Sequence, residues 1–340
     1  MIFSYRTRQQ LKKLLSGLFP ALLVLIAALI CWLVWVQRFL VYTPDGAHLD
    51  FHVTSPTIPG RLPQTPSNPR VDIDYDVTLP TITPERPPQQ LDVQGYYIDP
   101  AALQADVEAV IAQLQQLQPG TAVLLDVKNA WGYFFYSTTL GPQASSAYNI
   151  PQMDALFAYL ATSDLYTIAR LPALRDHNFA LNNTDCGLAT SQGYLWEDSG
   201  HYYWLDPTQE GSLSYLMQVA RELRTLGFDE VVLTDFYVPE SRNIVFDGDR
   251  KTAIESAAAT LVSACATENF TVSFAVTDLT VVLPQQYCRL YLQNVAAADV
   301  LDTLEQVYAT NPQLQVVFLA QSNDTRYDQV GVLRPLQLAH

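Results

Sequence analysis

From Leu91 onward, short apolar runs alternate with amphipathic stretches of helical period, and this alternation restricts the fold more than any other feature of the chain. A strand that must be followed by a helix before the next strand pairs in parallel, so repeated β/α units build one parallel sheet sheathed in helices. Apolar runs at 91–98, 121–127, 165–171, 230–236, 271–277, 289–295 and 314–320 read as strands; 101–118, 208–226 and 249–268 read as helices. Seven such units in the 250 residues from Leu91 predict an α/β fold, a (β/α)8-type TIM barrel. An open doubly wound sheet is the structural alternative, but it would usually carry a glycine-rich phosphate loop after its first strand, and none is present. No eighth strand is evident before the chain ends, so the expectation includes an incomplete barrel.

The segment ahead of Leu91 divides into three parts. Residues 1–13 hold Arg6, Arg8, Lys12 and Lys13 and are expected to be a basic cytoplasmic tail. Residues 14–37 carry no charge at all, enough helix to cross a hydrocarbon core, and predict a single transmembrane helix. The first charges after Arg38 are Asp45 and Asp50, so the positive-inside bias keeps the amino terminus in the cytoplasm and places the carboxyl-terminal domain, residues 91–340, outside the cell. A cleaved signal peptide is the rival reading; Cys31-Trp32-Leu33-Val34-Trp35 makes a poor cleavage site. Residues 38–90 are expected to be an extracellular linker. Its stretch 54–90 has nine prolines and neither period, and at ~3.1 Å per residue it would reach roughly 100 Å from the bilayer.

Charge narrows the partners. The five basic residues up to Arg38 leave 14 of the 19 Lys and Arg against 34 Asp and Glu in the remainder, a balance of −20. Such a field repels nucleic acid and favours neutral or cationic partners. The four Cys and five His show no metal-ligand spacing, and neither a G-x-S-x-G elbow nor a G-x-x-x-x-G-K-[ST] loop occurs, so no metal or other cofactor is expected.

Active sites of β/α barrels are built at the carboxyl ends of the strands, and the strand-end residues form the candidate site. Period two puts Asp126 and Lys128 on one face of the second strand, Arg170 on the same face as Ile168 in the third, and Asp235 with Tyr237 on one face of the fourth; Asp278 follows the fifth and Glu240 follows the fourth. Carboxylates and cations at one rim suit glycoside hydrolysis, in which one carboxyl protonates the leaving oxygen and another attacks or activates water. Asp235 is the candidate nucleophile or base, and Asp278, Glu240 or Asp126 the candidate acid. Aromatic residues crowd the loops after the second and third strands, and Trp131, Trp196, Trp204 and Tyr237, with Lys128, Arg170 and Asp206, are candidate sugar contacts, since rings with polar tips match the mixed surface of a pyranose.

The segments LLDVKNAWGY (124–133), YTIARLPALRDHNFA (166–180), WEDSGHYYWLDP (196–207) and LGFDEVVLTDFYVP (226–239) resemble a bacterial family of putative glycoside hydrolase domains of unknown function. The similarity spans Leu91 to about Asp278 and implies a TIM-barrel protein related to α-amylase-type hydrolases. Matching positions are Asp126, Lys128, Arg170 and Asp176, then Trp196, Asp198, Gly200, Trp204, Asp206 and Pro207. The family's fourth strand reads like FDEIQFDYIRFP, which puts Thr234 and Tyr237 where an Asp and an Arg are usual and leaves Asp235 one place along. Its S-A-D-V-F-G is replaced by Ser273 to Asp278. Two functions are therefore expected: a membrane-anchored glycoside hydrolase acting on an envelope or extracellular polysaccharide, and a catalytically inactive barrel that binds cell-wall glycan.

Overall fold

The structure, a computed structural model, describes residues 40–43, 46–49 and 93–337. Near the amino terminus, Leu40–Thr43 pairs antiparallel with Gly46–Leu49 in a short ribbon. That ribbon falls inside the expected 38–90 linker. The expected transmembrane segment, 14–37, lies outside the described residues; among those described, no helix is long and apolar enough to cross a membrane.

The carboxyl-terminal unit is built on eight strands: β1 Gln94–Tyr97, β2 Ala122–Asp126, β3 Tyr166–Pro172, β4 Glu230–Thr234, β5 Thr271–Phe274, β6 Arg289–Gln293, β7 Gln315–Leu319 and β8 Gly331–Pro335. They close into a barrel in sequence order, every neighbouring pair parallel. Strands buried on both faces need apolar residues at successive positions, and Ala122–Asp126 and Glu230–Thr234 are buried at every position but the last. Val93, Ala122, Leu124, Ile168, Val232, Tyr291, Val317 and Leu333 fill the inside of the barrel. The alternate residues, among them Val123, Leu125, Ala169, Val231 and Leu233, meet the helices outside.

The expected incomplete barrel is corrected by β8. This strand runs between β7 and β1, with Val332 opposite Gln94 and Phe318 opposite Val332, and completes the ring. The helices are α1 Pro100–Ala105, α2 Val107–Leu114, α3 Ile150–Thr162, α4 His177–Asn182, α5 Glu210–Thr225, α6 Arg250–Cys265 and α7 Val300–Thr310. The single helix expected over 101–118 breaks at Asp106, whose extended backbone ends α1 while its carboxylate accepts the Ala109 N–H to start α2. At the foot of the barrel, buried Glu230 accepts from Arg289 Nη1 at 2.5 Å and from the hydroxyls of Tyr166 and Ser273, a closed polar plug at the face opposite the strand ends.

Candidate functional site

At the carboxyl ends of the strands lies a cavity of about 410 Å³, lined by Gln104, Asp126, Lys128, Asn129, Phe135, Tyr148, Arg170, Pro172, Thr234 and Gln293 among others. Strand parity and register explain its contents. Asp126 stands directly across from Arg170 in the β2–β3 ladder, both face inward, and the guanidinium takes both carboxylate oxygens: Nε to Oδ1 at 2.5 Å and Nη2 to Oδ2 at 2.9 Å. Burial alone would lower the Arg170 pKa, but the bonds and charge of Asp126 outweigh it and hold the guanidinium above its ordinary value.

Lys128 lines the same cavity, yet its ammonium is turned away from solvent into a buried pair. Its Nζ donates to Asp176 Oδ2 at 2.6 Å, with both side chains fully enclosed. Asp176 also accepts from the Tyr215 hydroxyl at 2.8 Å and from the Phe179 N–H at 2.9 Å as the N-cap of α4. Gly132 completes the fit. Its φ is +81°, and a Cβ there would come within 2.2 Å of Asp176 Oδ1.

The long excursion between β3 and β4 is organised by Asp198. Its carboxylate accepts from the Gly200 and Tyr202 N–H groups and from Trp204 Nε1 at 2.9 Å, and pairs with Arg175 Nη2 at 2.8 Å. Burial raises its pKa, but these donors prevail and hold the carboxyl below its usual range. Trp204 is thereby buried, its ring 4.9 Å from that of Tyr237. Asp206 takes the Thr208 N–H and hydroxyl in a tight turn ahead of α5. Trp196 packs half-buried against the core, whereas Trp131 remains 38 % exposed. The aromatic W-x-D-x-G-x-x-x-W-x-D pattern thus builds the loop, and neither of its tryptophans, Trp196 or Trp204, lines the cavity.

Four acids were expected to do chemistry, and they stand in different surroundings. Asp126 is in the cavity. Thr234 occupies the inward rim position of β4, and Asp235 follows it in a left-handed backbone conformation, φ +49°. Burial, the largest influence, raises the Asp235 pKa; the charge of Asp198 adds to this, while Arg175 and Lys128 oppose it. Among the described residues the Asp235 carboxyl accepts no hydrogen bond. Glu240 is exposed. Asp278 is exposed too, and its carboxylate is held below the usual range by the Thr280 hydroxyl and N–H, which it caps.

Sequence reasoning did not find Tyr148, Gln104 or Gln293, because a lining residue contributed by a loop or helix carries no pattern of its own. Asp99, the N-cap of α1, also acts on this mouth: it raises the Tyr97 and Tyr148 pKa values, in both cases after burial as the larger cause. Among the described residues, no group of three or more His, Cys, Asp or Glu could hold a metal ion.

A family model described as "Putative glycosyl hydrolase domain" matches residues 98–273. No curated protein matches the chain. Among solved structures, a hypothetical protein from Ruminiclostridium thermocellum is 20 % identical, with a TM-score of 0.45, over 52 % of this chain and 96 % of its own. An α-galactosidase from Thermus thermophilus is 10 % identical, TM-score 0.49, over 74 % of this chain and 60 % of its own. The glycoside hydrolase domain of PelA from Pseudomonas aeruginosa is 15 % identical, TM-score 0.43, over 70 % and 87 %.

Proposed function

Because the chain belongs to the family described as "Putative glycosyl hydrolase domain", we propose that its barrel mouth binds a polysaccharide of the cell envelope or its surroundings and holds it without cleaving it. One observation carries this reading: Thr234 stands at the inward rim of β4, and Asp126, the carboxylate that lines the cavity, has both oxygens bonded to Arg170. Hydrolysis of a glycosidic bond needs an acid and a base or nucleophile facing each other across the sugar, about 5–9.5 Å apart. A carboxylate already neutralised by a bidentate arginine is a poor nucleophile and a poor proton donor. It is a good sugar ligand. The fixed Asp126–Arg170 fork and the amides of Gln104, Asn129 and Gln293 offer donors and acceptors beside the apolar Pro100, Ala147 and Pro172, the mixture a saccharide requires.

We place the barrel outside the cell, tethered by the uncharged stretch 14–37 and spaced from the bilayer by the proline-rich linker. Polysaccharide is the partner best suited to that position, and the net −20 balance beyond Arg38 argues against nucleic acid.

A second reading, hydrolysis, is favoured by Asp235. A half-buried carboxyl with a raised pKa, on a strained non-glycine backbone at the end of a barrel strand, is what a general acid requires. The test is binding and turnover measured together on the full chain in detergent, with purified cell-wall glycan strands as probe. Arg170→Gln is expected to weaken binding by at least tenfold, with no reducing ends released by the unaltered protein. Release of reducing ends that Asp235→Asn abolishes would establish the second reading instead.

A further inference from the structure

Trp131 is partly exposed on a loop that many contacts hold. It sits on the loop after β2, where His177 N–H donates to the Ala130 carbonyl at 3.0 Å, Asn178 N–H to the Trp131 carbonyl at 3.1 Å and Gly132 N–H to the Asn129 carbonyl at 2.9 Å. The Asn129 side chain caps the same turn by accepting the Tyr133 N–H at 3.1 Å. Gly132 adopts a backbone that admits no Cβ beside Asp176. The indole packs against the rings of His177 and Tyr202, each with its centroid at 4.7 Å and tilted by more than 50°, while 38 % of the residue stays accessible. Tyr202 is in turn pinned by Arg175, 4.1 Å above its ring. Tyr133, two residues on, is 39 % exposed.

An aromatic side chain exposed at random on a loop would be free to fold down onto apolar surface; this one is braced against doing so. Bracing of this kind removes the ordering cost of binding in advance. Trp131 also belongs to the loop that follows β2 at the carboxyl-terminal face of the barrel, two residues after Asn129, which lines the cavity.

We propose that Trp131, with Tyr133 and Tyr202 around it, is a second saccharide contact outside the cavity, which stacks on sugar units further along a polymer whose other units occupy the mouth. This rests on the saccharide-binding reading of the mouth and deepens it: the ligand class is an extended polysaccharide, and chain length is recognised as well as the individual sugar. Stacking of a pyranose on an exposed indole uses its apolar C–H face, which is present in neutral and cationic sugars alike.

The experiment is titration of the full chain in detergent with purified cell-wall glycan strands and with the tetrasaccharide prepared from them. The unaltered protein is expected to bind strands at least tenfold more tightly than the tetrasaccharide, and Trp131→Ala to erase most of that ratio, while Trp131→Tyr, which keeps a ring, restores part of it. Near-ultraviolet circular dichroism and the melting temperature verify that each variant is folded. Strand affinity unchanged in Trp131→Ala overturns the platform and leaves the mouth standing. Equal losses for strands and tetrasaccharide place Trp131 in the mouth, which also overturns it. Failure of the unaltered protein to bind either probe removes the mouth reading and the platform together.

Discussion

Lys128 and Asp176 lie 2.6 Å apart with no solvent contact, so neither charge can be removed alone without stranding the other. Lys128→Met is expected to cost about 3–5 kcal/mol of stability, because it leaves a buried carboxylate unpaired. Combined with Asp176→Asn the loss should shrink, since the stranded charge is removed while the amide oxygen can still accept from the Tyr215 hydroxyl and cap α4; urea unfolding of both variants checks this. Asp235 predicts an effect of pH. Its pKa is raised in the folded state, so its neutral form is favoured there, and the stability it contributes is complete below the unfolded carboxylate value and is lost as pH rises through the folded one. Asp235→Asn should therefore raise the melting temperature at pH 7 and change it little at pH 3. An equal shift at both would show that the carboxyl is not the titrating group. The inward placement of Asp126 and Arg170 follows from period two and was legible in the sequence. The partner of Lys128 was not: Asp176 lies 48 residues away and the third member, Tyr215, on a different helix.

Among the elements, seven strands could be read: most, such as Ala122–Asp126 and Glu230–Thr234, are apolar runs buried on both faces, whereas β1, Gln94-Gly95-Tyr96-Tyr97, was legible from the apolar residues that flank it. β8 could not. Its residues, Gly331-Val332-Leu333-Arg334-Pro335, hold only two aliphatic side chains between a glycine and a proline, both of which usually mark a turn. Gly331 is there for room, since a Cβ would come within 2.9 Å of Val317 and 3.1 Å of the Val316 carbonyl. Tertiary closure supplies what local propensity lacks: β8 pairs on both sides, and Val332 and Leu333 are fully buried. Leu333→Ala, in the barrel interior, is expected to cost about 2–5 kcal/mol, to be read from the denaturation midpoint. A loss under 1 kcal/mol would indicate that the ring does not depend on this strand. The loop pattern around Asp198 teaches the converse: its aromatic richness suggested sugar contacts, whereas Trp204 donates to Asp198 and is buried. Sequence shows that aromatics are present, and only packing distinguishes a ring that braces a loop from one that faces a ligand.

For the whole molecule, the proposed order is a basic tail, a membrane span, a proline-rich spacer and the barrel. Single cysteines introduced at Ser4 and at Ser67, in a background with the native thiols replaced, test it with a membrane-impermeant maleimide on intact cells. Ser67→Cys is expected to be labelled and Ser4→Cys to be protected. Labelling of neither, or of Ser4→Cys alone, would contradict the arrangement. The central proposal is that the mouth retains a saccharide intact, because Thr234 stands at the inward rim of β4 and Arg170 occupies both oxygens of Asp126. The direct measurement is to load the full-length protein with cell-wall glycan strands of defined length, recover the bound strands after prolonged incubation and determine their mass. Strands bound and recovered at full length are predicted. Shortened strands from the unaltered protein, but full-length strands from Asp235→Asn, would contradict the account and make this barrel a hydrolase.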